Sequence, residues 1–310
     1  MLDQQITQLI AQQRLPASFV DTVQHWYMPV AMEIAGKARQ AAAPIVVGVQ
    51  GAQGSGKSTL AAFLKALLES NHHLNTAVLS IDDFYLTHAA RTQLGQTVHP
   101  LLCTRGVPGT HDVALAQRTI NTLCQLKGSE STRIPRFDKS IDDRAPEEQW
   151  SNISGPVDVI LLEGWCVGLN PQSDDALEPP INTLEAENDA QGLWRRYVNH
   201  KLSQEYAPLF NSFTFFVVLQ APSFDAVYQW RLLQEQKLIA KIKEENQTRA
   251  GIRTMSADEI RTFISHYQRL TEHALCTLPE KADYVLRLDS QHRILSTHTK
   301  DRSHQQKAPL

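Results

Sequence analysis

The segment Gly51-Ala52-Gln53-Gly54-Ser55-Gly56-Lys57-Ser58 satisfies the pattern G-x-x-x-x-G-K-[ST] at every required position. Before it, Ile45-Val46-Val47-Gly48-Val49 is a short apolar run of buried-strand type, and Leu60 to Leu68 after it keeps helical spacing. Strand, glycine-rich loop and helix in that order form a cradle for polyphosphate. The glycines let the backbone turn tightly, so that N–H groups and the helix N-terminus face the anion. In this arrangement Lys57 reaches the β- and γ-phosphates of ATP, and the Ser58 hydroxyl sits on Mg²⁺. The expected nucleotide contacts are Gly51, Ala52, Gln53, Gly54, Ser55, Gly56, Lys57, Ser58 and Thr59.

Outward from the loop, strand-type runs fall at about 45–49, 76–81, 157–162, 213–219 and 283–288. Helical patterns alternate with them at about 57–70, 112–126, 193–206, 223–246 and 257–277. The last of these has the clearest start, a capping box of Ser256 and Glu259 ahead of an apolar face of Ile260, Phe263, Ile264, Tyr267 and Leu270. The alternation predicts an α/β fold of the P-loop NTPase type, a doubly wound parallel five-stranded sheet flanked by helices. Residues 1–43 read as an N-terminal helical extension closed by Pro44, with the nucleotide-binding domain over 44–310. Asn170 to Gln191, rich in Asp, Glu, Asn and Pro, reads as a surface excursion.

Composition sets the class. Of 310 residues, 42% are apolar and 20% charged, and the longest apolar runs are strand-sized, so no membrane span is expected. A net charge of −3 and the lack of any basic run argue against a nucleic-acid partner. Cys103, Cys124, Cys166 and Cys276 are widely spaced, which favours reduced thiols over a disulfide or zinc framework. Arg14 is the only Lys or Arg before Lys37, unlike an Arg-rich transit peptide. A cytoplasmic enzyme is the expectation.

In a doubly wound sheet the C-terminal ends of the strands line the ligand crevice. The second strand ends in Asp82-Asp83-Phe84-Tyr85, where a carboxylate would take the proton of a hydroxyl attacking the γ-phosphate. Asp82 is the candidate base, with Asp83 beside it as a candidate metal ligand; a turn or helix cap is the competing reading of such a pair. The third strand ends in Glu163-Gly164-Trp165, an acid placed to complete a Mg²⁺ shell with Ser58. Between these strands, the turn-rich segments 105–112 and 133–144 carry Arg105, Arg136, Lys139 and Arg144. Four cations mixed with acids suit one small anionic group, since guanidinium binds carboxylate or phosphate with two hydrogen bonds. Ordinary loop charge is the alternative. Asp112, which with His111 completes the set of acceptor-side candidates, would otherwise cap the helix that follows. Arg231, early in a long amphipathic segment, would lie over the phosphates as a lid arginine or remain a plain surface residue.

Three segments go beyond a generic phosphate loop. Ser-Ile-Asp-Asp-Phe-Tyr-Leu-Thr (80–87), Arg-Gly-Val-Pro-Gly-Thr-His-Asp (105–112) and Leu-Leu-Glu-Gly-Trp (161–165) resemble the D-glycerate 3-kinase family, within the phosphoribulokinase, uridine kinase and pantothenate kinase group. Pro-Arg-Phe-Asp-Lys-Ser (135–140) and Val-Tyr-Gln-Trp-Arg-Leu (227–232) extend the resemblance, which runs over about residues 45–290. It implies Asp82 as base, Glu163 as metal-shell acid, Arg231 as lid arginine, and ATP with Mg²⁺. The stretch Thr183 to Leu209 is similar to bacterial and fungal members rather than plant ones. Thr248 to Met255, in the lid, is longer and more basic than the plant pattern. The expected activity is phosphorylation of a small anionic, hydroxyl-bearing substrate, with D-glycerate first. A nucleoside, pantothenate or sugar-phosphate kinase is the alternative, with Phe84, Tyr85, Phe137 and Trp165 available for stacking. A hydrolysing switch or assembly factor is a third reading, disfavoured because no N-K-x-D guanine-reading motif occurs.

Overall fold

A computed structural model describes residues 4–244 and 254–300 of the chain. Its strands are β1 (Ile45–Gly51), β2 (Thr76–Ser80), β3 (Ser131–Ile134), β4 (Phe137–Asp138), β5 (Asp143–Arg144), β6 (Ser151–Ser154), β7 (Val159–Gly164), β8 (Phe215–Gln220), β9 (Tyr284–Leu288) and β10 (Ile294–Thr299). The central sheet has the order β10-β9-β8-β1-β7-β2. Its first five strands in the chain are parallel, and β10 runs antiparallel along β9. Strands β1 and β7 are buried at every position, as the apolar runs of inner parallel strands require.

The sheet is therefore one strand wider than the sequence pattern predicts. In β10, Ile294 and Thr297 face inward while Leu295 and His298 face out. Such a half-covered edge strand carries little apolar signal. Also outside the prediction are the helix His88–Thr97 and two short antiparallel ladders, β3 with β6 and β4 with β5. The predicted helix at 193–206 forms as Leu193–Lys201 followed by a π-helical turn, Leu202–Tyr206. The helix predicted at 223–246 spans Phe224–Glu244; its last two residues, most of the Thr248–Met255 stretch and residues 301–310 lie outside the described residues.

Register levels the strand tips. Glu163 pairs with Val49 of β1 on one side and with Ser80 of β2 on the other. The phosphate loop, the turn holding Asp82 and the acid of β7 thus leave the sheet at one edge. On the face of the helix Lys57–His72, the N-terminal helices bury Ile6, Ile10, Trp26, Val30 and Ile34 in the same core as Leu60, Phe63 and Leu64. Phe19 and Tyr27 meet Phe63 ring to ring, at centroid distances of 5.4 and 6.0 Å.

The segment 170–191 is mostly exposed, as a surface excursion should be, but it is pinned at buried points. Glu185 and Asp189 within it are buried. Arg269 grips both oxygens of Glu185, at 2.7 and 2.6 Å, and two carbonyls of the same segment, Ala176 and Pro179. Arg195 holds Asp189 with a second set of charge-assisted bonds. Buried charges persist only when paired and hydrogen-bonded. Two of its acids, Glu185 and Asp189, thus build internal clamps within an otherwise exposed segment. Among the described residues no helix is long and apolar enough to cross a membrane.

Candidate active site

The phosphate loop closes as its glycines require. A Cβ on Gly51 would stand 2.4 Å from the Ser55 hydroxyl, and Gly56 takes a φ of +89° at the helix N-terminus. Lys57 opens the helix and makes no ion pair among the described residues. One position later, Ser58 Oγ donates to Glu163 Oε1 at 2.9 Å. Glu163 is buried, and its Oε2 has no hydrogen-bond partner. A buried carboxylate oxygen left open beside a serine hydroxyl fits a hard cation, which takes oxygen ligands. No cluster of three or more His, Cys, Asp or Glu able to hold a metal occurs among the described residues. The serine–glutamate pair is thus the place beside the phosphate loop that could hold a cation.

Lys57, Ser58, Asp82, Arg105, Lys139, Glu163 and Arg231 line one cleft of about 480 Å³, together with Gln53 and Gly54 of the loop. Asp82 sits in the short 3₁₀ turn Ile81–Phe84 that follows β2. Its Oδ1 accepts from Tyr85 Oη at 2.9 Å and its Oδ2 from Lys139 Nζ at 2.7 Å. Burial pushes the Asp82 carboxyl up, but Lys139 and then Lys57 outweigh it, and the net shift is downward. Asp82 is thus an anion facing the phosphate loop.

Other predicted site residues stand elsewhere. Asp83 faces away from the cleft: Arg136 binds its Oδ2 at 2.5 Å and Phe137 N its Oδ1 at 3.2 Å. Both oxygens are committed to the β4 hairpin, so Asp83 is not a metal ligand in this arrangement, and Arg136 is not an open anion site. Asp112 is the N-cap of the helix Val113–Gln125, accepting from Leu115 N at 2.9 Å, and also pairs with Arg144 at 3.2 Å. His111 is buried, stacks on the Tyr85 ring at 4.5 Å and bonds Tyr206 Oη through Nδ1 at 2.7 Å. Burial lowers its pKa to about 4. It lines a second, larger hollow of about 720 Å³ whose walls include Leu94, Val113 and Pro208. That hollow contains neither Lys57 nor Asp82 and is the less reactive of the two.

Arg105 is one of the three cations, with Lys139 and Arg231, that the cleft brings together besides Lys57. Its guanidinium lies over the Phe137 ring at 5.6 Å and pairs with Asp142. Asp142 is held in turn by the buried Arg91 at 2.9 Å. Arg231 lies over Phe263 at 5.7 Å and pairs with Glu235 at 2.8 Å. Glu235 also accepts from Met255 N at 2.8 Å. Trp165 and Tyr267 meet edge to face at 4.9 Å and hold the 105–106 backbone, through Gly106 O and Arg105 O at 3.0 and 3.2 Å.

Sequence reasoning missed Arg91, Asp142, Glu235 and the cleft role of Phe263 and Tyr267. For Glu235 a signal existed, since Arg231 and Glu235 are four apart on a helix. Phe263 and Tyr267 were legible only as an apolar helix face. The 91–142 pairing spans two loops and left no local trace.

No protein-family model matches the chain. Individual proteins do. It is 36% identical over 247 residues to the uncharacterized kinase mug58 of Schizosaccharomyces pombe, covering 77% of this chain and 83% of that one. It is 33% identical over 238 residues to the chloroplastic D-glycerate 3-kinase of Arabidopsis thaliana, covering 72% of this chain and 46% of that longer protein. The D-glycerate 3-kinase structure from Cryptococcus neoformans superposes with a TM-score of 0.71 at 28% identity, covering 88% of this chain and 97% of that one. On these likenesses the chain belongs to the D-glycerate 3-kinase family of P-loop kinases, ATP-dependent phosphotransferases that act on a hydroxyl.

Proposed function

We propose that the acceptor is D-glycerate, phosphorylated on its primary hydroxyl to 3-phosphoglycerate in a Mg²⁺-dependent reaction. The observation that carries this reading is the position of Asp82, an ionised carboxylate that shares one cleft with Lys57 and the cations Arg105 and Lys139. A small hydroxy acid matches both halves, with a hydroxyl for the base and a carboxylate for the cations. Lys57 neutralises charge on the β- and γ-phosphates. Ser58 and Glu163 would hold Mg²⁺, which supplies charge neutralisation between the same phosphates. Asp82 takes the hydroxyl proton as the oxygen attacks phosphorus. Arg231 exchanges Glu235 for the transferring group, a role suited to a guanidinium. Catalysis is then positioning plus electrostatics.

A nucleoside acceptor would need an open aromatic face. The Tyr85 ring is stacked on His111, and Trp165 and Tyr267 turn an edge and a face to each other. The cations beside Asp82 also count against a hydrolysing switch, which has no acceptor to hold. We also place the enzyme in the cytoplasm, on its reduced-thiol pattern. The test is ADP release by the purified protein with ATP and Mg²⁺, against hydroxy acids, nucleosides, pantothenate and sugar phosphates. Turnover confined to D-glycerate and close hydroxy acids is expected; a preference for an uncharged acceptor would overturn the assignment.

A further inference from the structure

We infer that Lys139 is a specificity-determining residue that keeps Asp82 occupied until an anionic acceptor draws it away, so that the acceptor's charge governs the rate of transfer as well as binding. The inference rests on Asp82 being the base of a hydroxyl kinase. Asp82 has two donors of different kinds. Tyr85 is fixed: it is buried, stacked on His111 at 4.5 Å and edge-on to Phe137 at 5.2 Å. Lys139 is the removable one. It sits in the turn between β4 and β5, its side chain is 58% exposed, and the bond to Asp82 is the one hydrogen bond found for its ammonium among the described residues.

The other cations of this loop pair are anchored twice. Arg136 holds Asp83 and the Ser151 hydroxyl, the latter at 2.9 Å. Arg144 holds Asp112 and the Tyr85 carbonyl. Arg105 pairs with Asp142 and lies on Phe137. Of the cations that line the cleft with Asp82 on these two segments, Lys139 can change partners without breaking a second contact, and Arg105 lines the same cleft to share an incoming anion.

The consequence is chemical. A carboxylate held by an ammonium at 2.7 Å is a weakened base, because that contact favours the anion over the acid. When the acceptor's carboxylate takes Lys139, Asp82 Oδ2 regains basicity where the hydroxyl arrives. The step then balances. The O–H proton passes to Asp82, the acceptor oxygen bonds the γ-phosphorus, and the bond from that phosphorus to the bridging oxygen breaks with its electron pair left on ADP. Asp82 afterwards returns its proton to water. An uncharged acceptor leaves Lys139 in place and meets the weaker base.

The test compares D-glycerate with glyceramide, which keeps the hydroxyls and lacks the charge, in wild type, Lys139→Met and Lys139→Arg. Wild type should turn over D-glycerate with a kcat about 10- to 100-fold above that for glyceramide, the scale of a general-base contribution partly withheld. In Lys139→Met the two kcat values should converge, glyceramide rising and the KM for D-glycerate increasing; Lys139→Arg should restore the gap. A second arm splits the substrate: acetate added in trans should accelerate phosphorylation of ethylene glycol by wild type and leave Lys139→Met unaffected. A kcat ratio unchanged by Lys139→Met, with KM alone shifted, would overturn the inference, as would the absence of acetate activation. Failure of the underlying reading shows separately, as full kcat in Asp82→Asn.

Discussion

The two ends of the cleft are built on opposite electrostatic plans. At the phosphate end the groups on the loop and the strand tip stand open, Arg231 of the later helix excepted: Lys57 has no ion partner among the described residues, and Glu163 keeps one buried oxygen unbonded. At the acceptor end every cation is already paired, Arg105 with Asp142, Lys139 with Asp82, Arg136 with Asp83 and Arg144 with Asp112. The phosphate end is a fixed mould, because backbone N–H groups and one lysine meet a ligand that never changes. The acceptor end is a set of exchangeable pairs, whose energy is released only to a ligand that replaces a lost partner. Affinity for nucleotide should thus depend on local sequence, and choice of acceptor on which pairs can open.

The largest test of this contrast is Lys57→Ala. Because only Lys57 stands on the loop itself, turnover should fall by about 10⁴-fold or more with every acceptor, while the melting temperature stays near wild type. Near-normal turnover by the folded variant would break the scheme. Next is Asp82→Asn, expected to lower kcat by about 10²–10⁴-fold with little change in ATP affinity, measured by steady-state kinetics and nucleotide titration. Asp83→Asn should behave oppositely, keeping its Mg²⁺ dependence and losing stability by about 1–3 kcal/mol in urea denaturation, since a charged partner of Arg136 is removed. If Asp83 proves the more damaging site for kcat, the roles of the two acids are exchanged.

At the acceptor end the effect should be smaller and selective. Arg105→Ala should raise KM for the hydroxy acid about 10- to 150-fold and leave ATP binding nearly unchanged. The fold should tolerate it, because Arg91 still satisfies Asp142. The smallest effect is on pH and stability. His111 is neutral in both folded and unfolded chains above about pH 6.5 and adds no slope there. Below that the unfolded chain protonates, whereas burial holds native His111 neutral down to about pH 4. Native stability should therefore fall through that window, by up to about 3 kcal/mol from this group. His72, His266, His273 and His292 are lowered too, so His111→Gln should flatten the pH profile of urea midpoints without levelling it.

How much was legible followed the range of the interactions. The phosphate loop is readable because its chemistry is local: Gly51, Gly56, Lys57 and Ser58 act through backbone turns and one helix start. Strands β1, β7 and β8 are readable because buried parallel strands must be apolar throughout, and the helix Ala257–Thr277 because its capping box and apolar face are periodic. The tips of β2 and β7 put Asp82 and Glu163 at the ligand edge by topology alone. By contrast, Asp82 and Asp83 are adjacent, similar residues with opposite fates, since one faces Lys57 and the other Arg136, 53 positions away.

By itself, then, the chain's sequence determined a doubly wound phosphate-loop kinase, because that depends on short-range geometry and strand order. Only the tertiary structure decided which acids and cations face the acceptor. It assigned Asp112 to a helix cap, His111 to a buried stack, and Asp189 and Glu185 to internal clamps made by Arg195 and Arg269. The physical reason is that a charged side chain in a loop is defined by its partner, and partners here lie tens of residues apart, brought together by packing that no local pattern encodes.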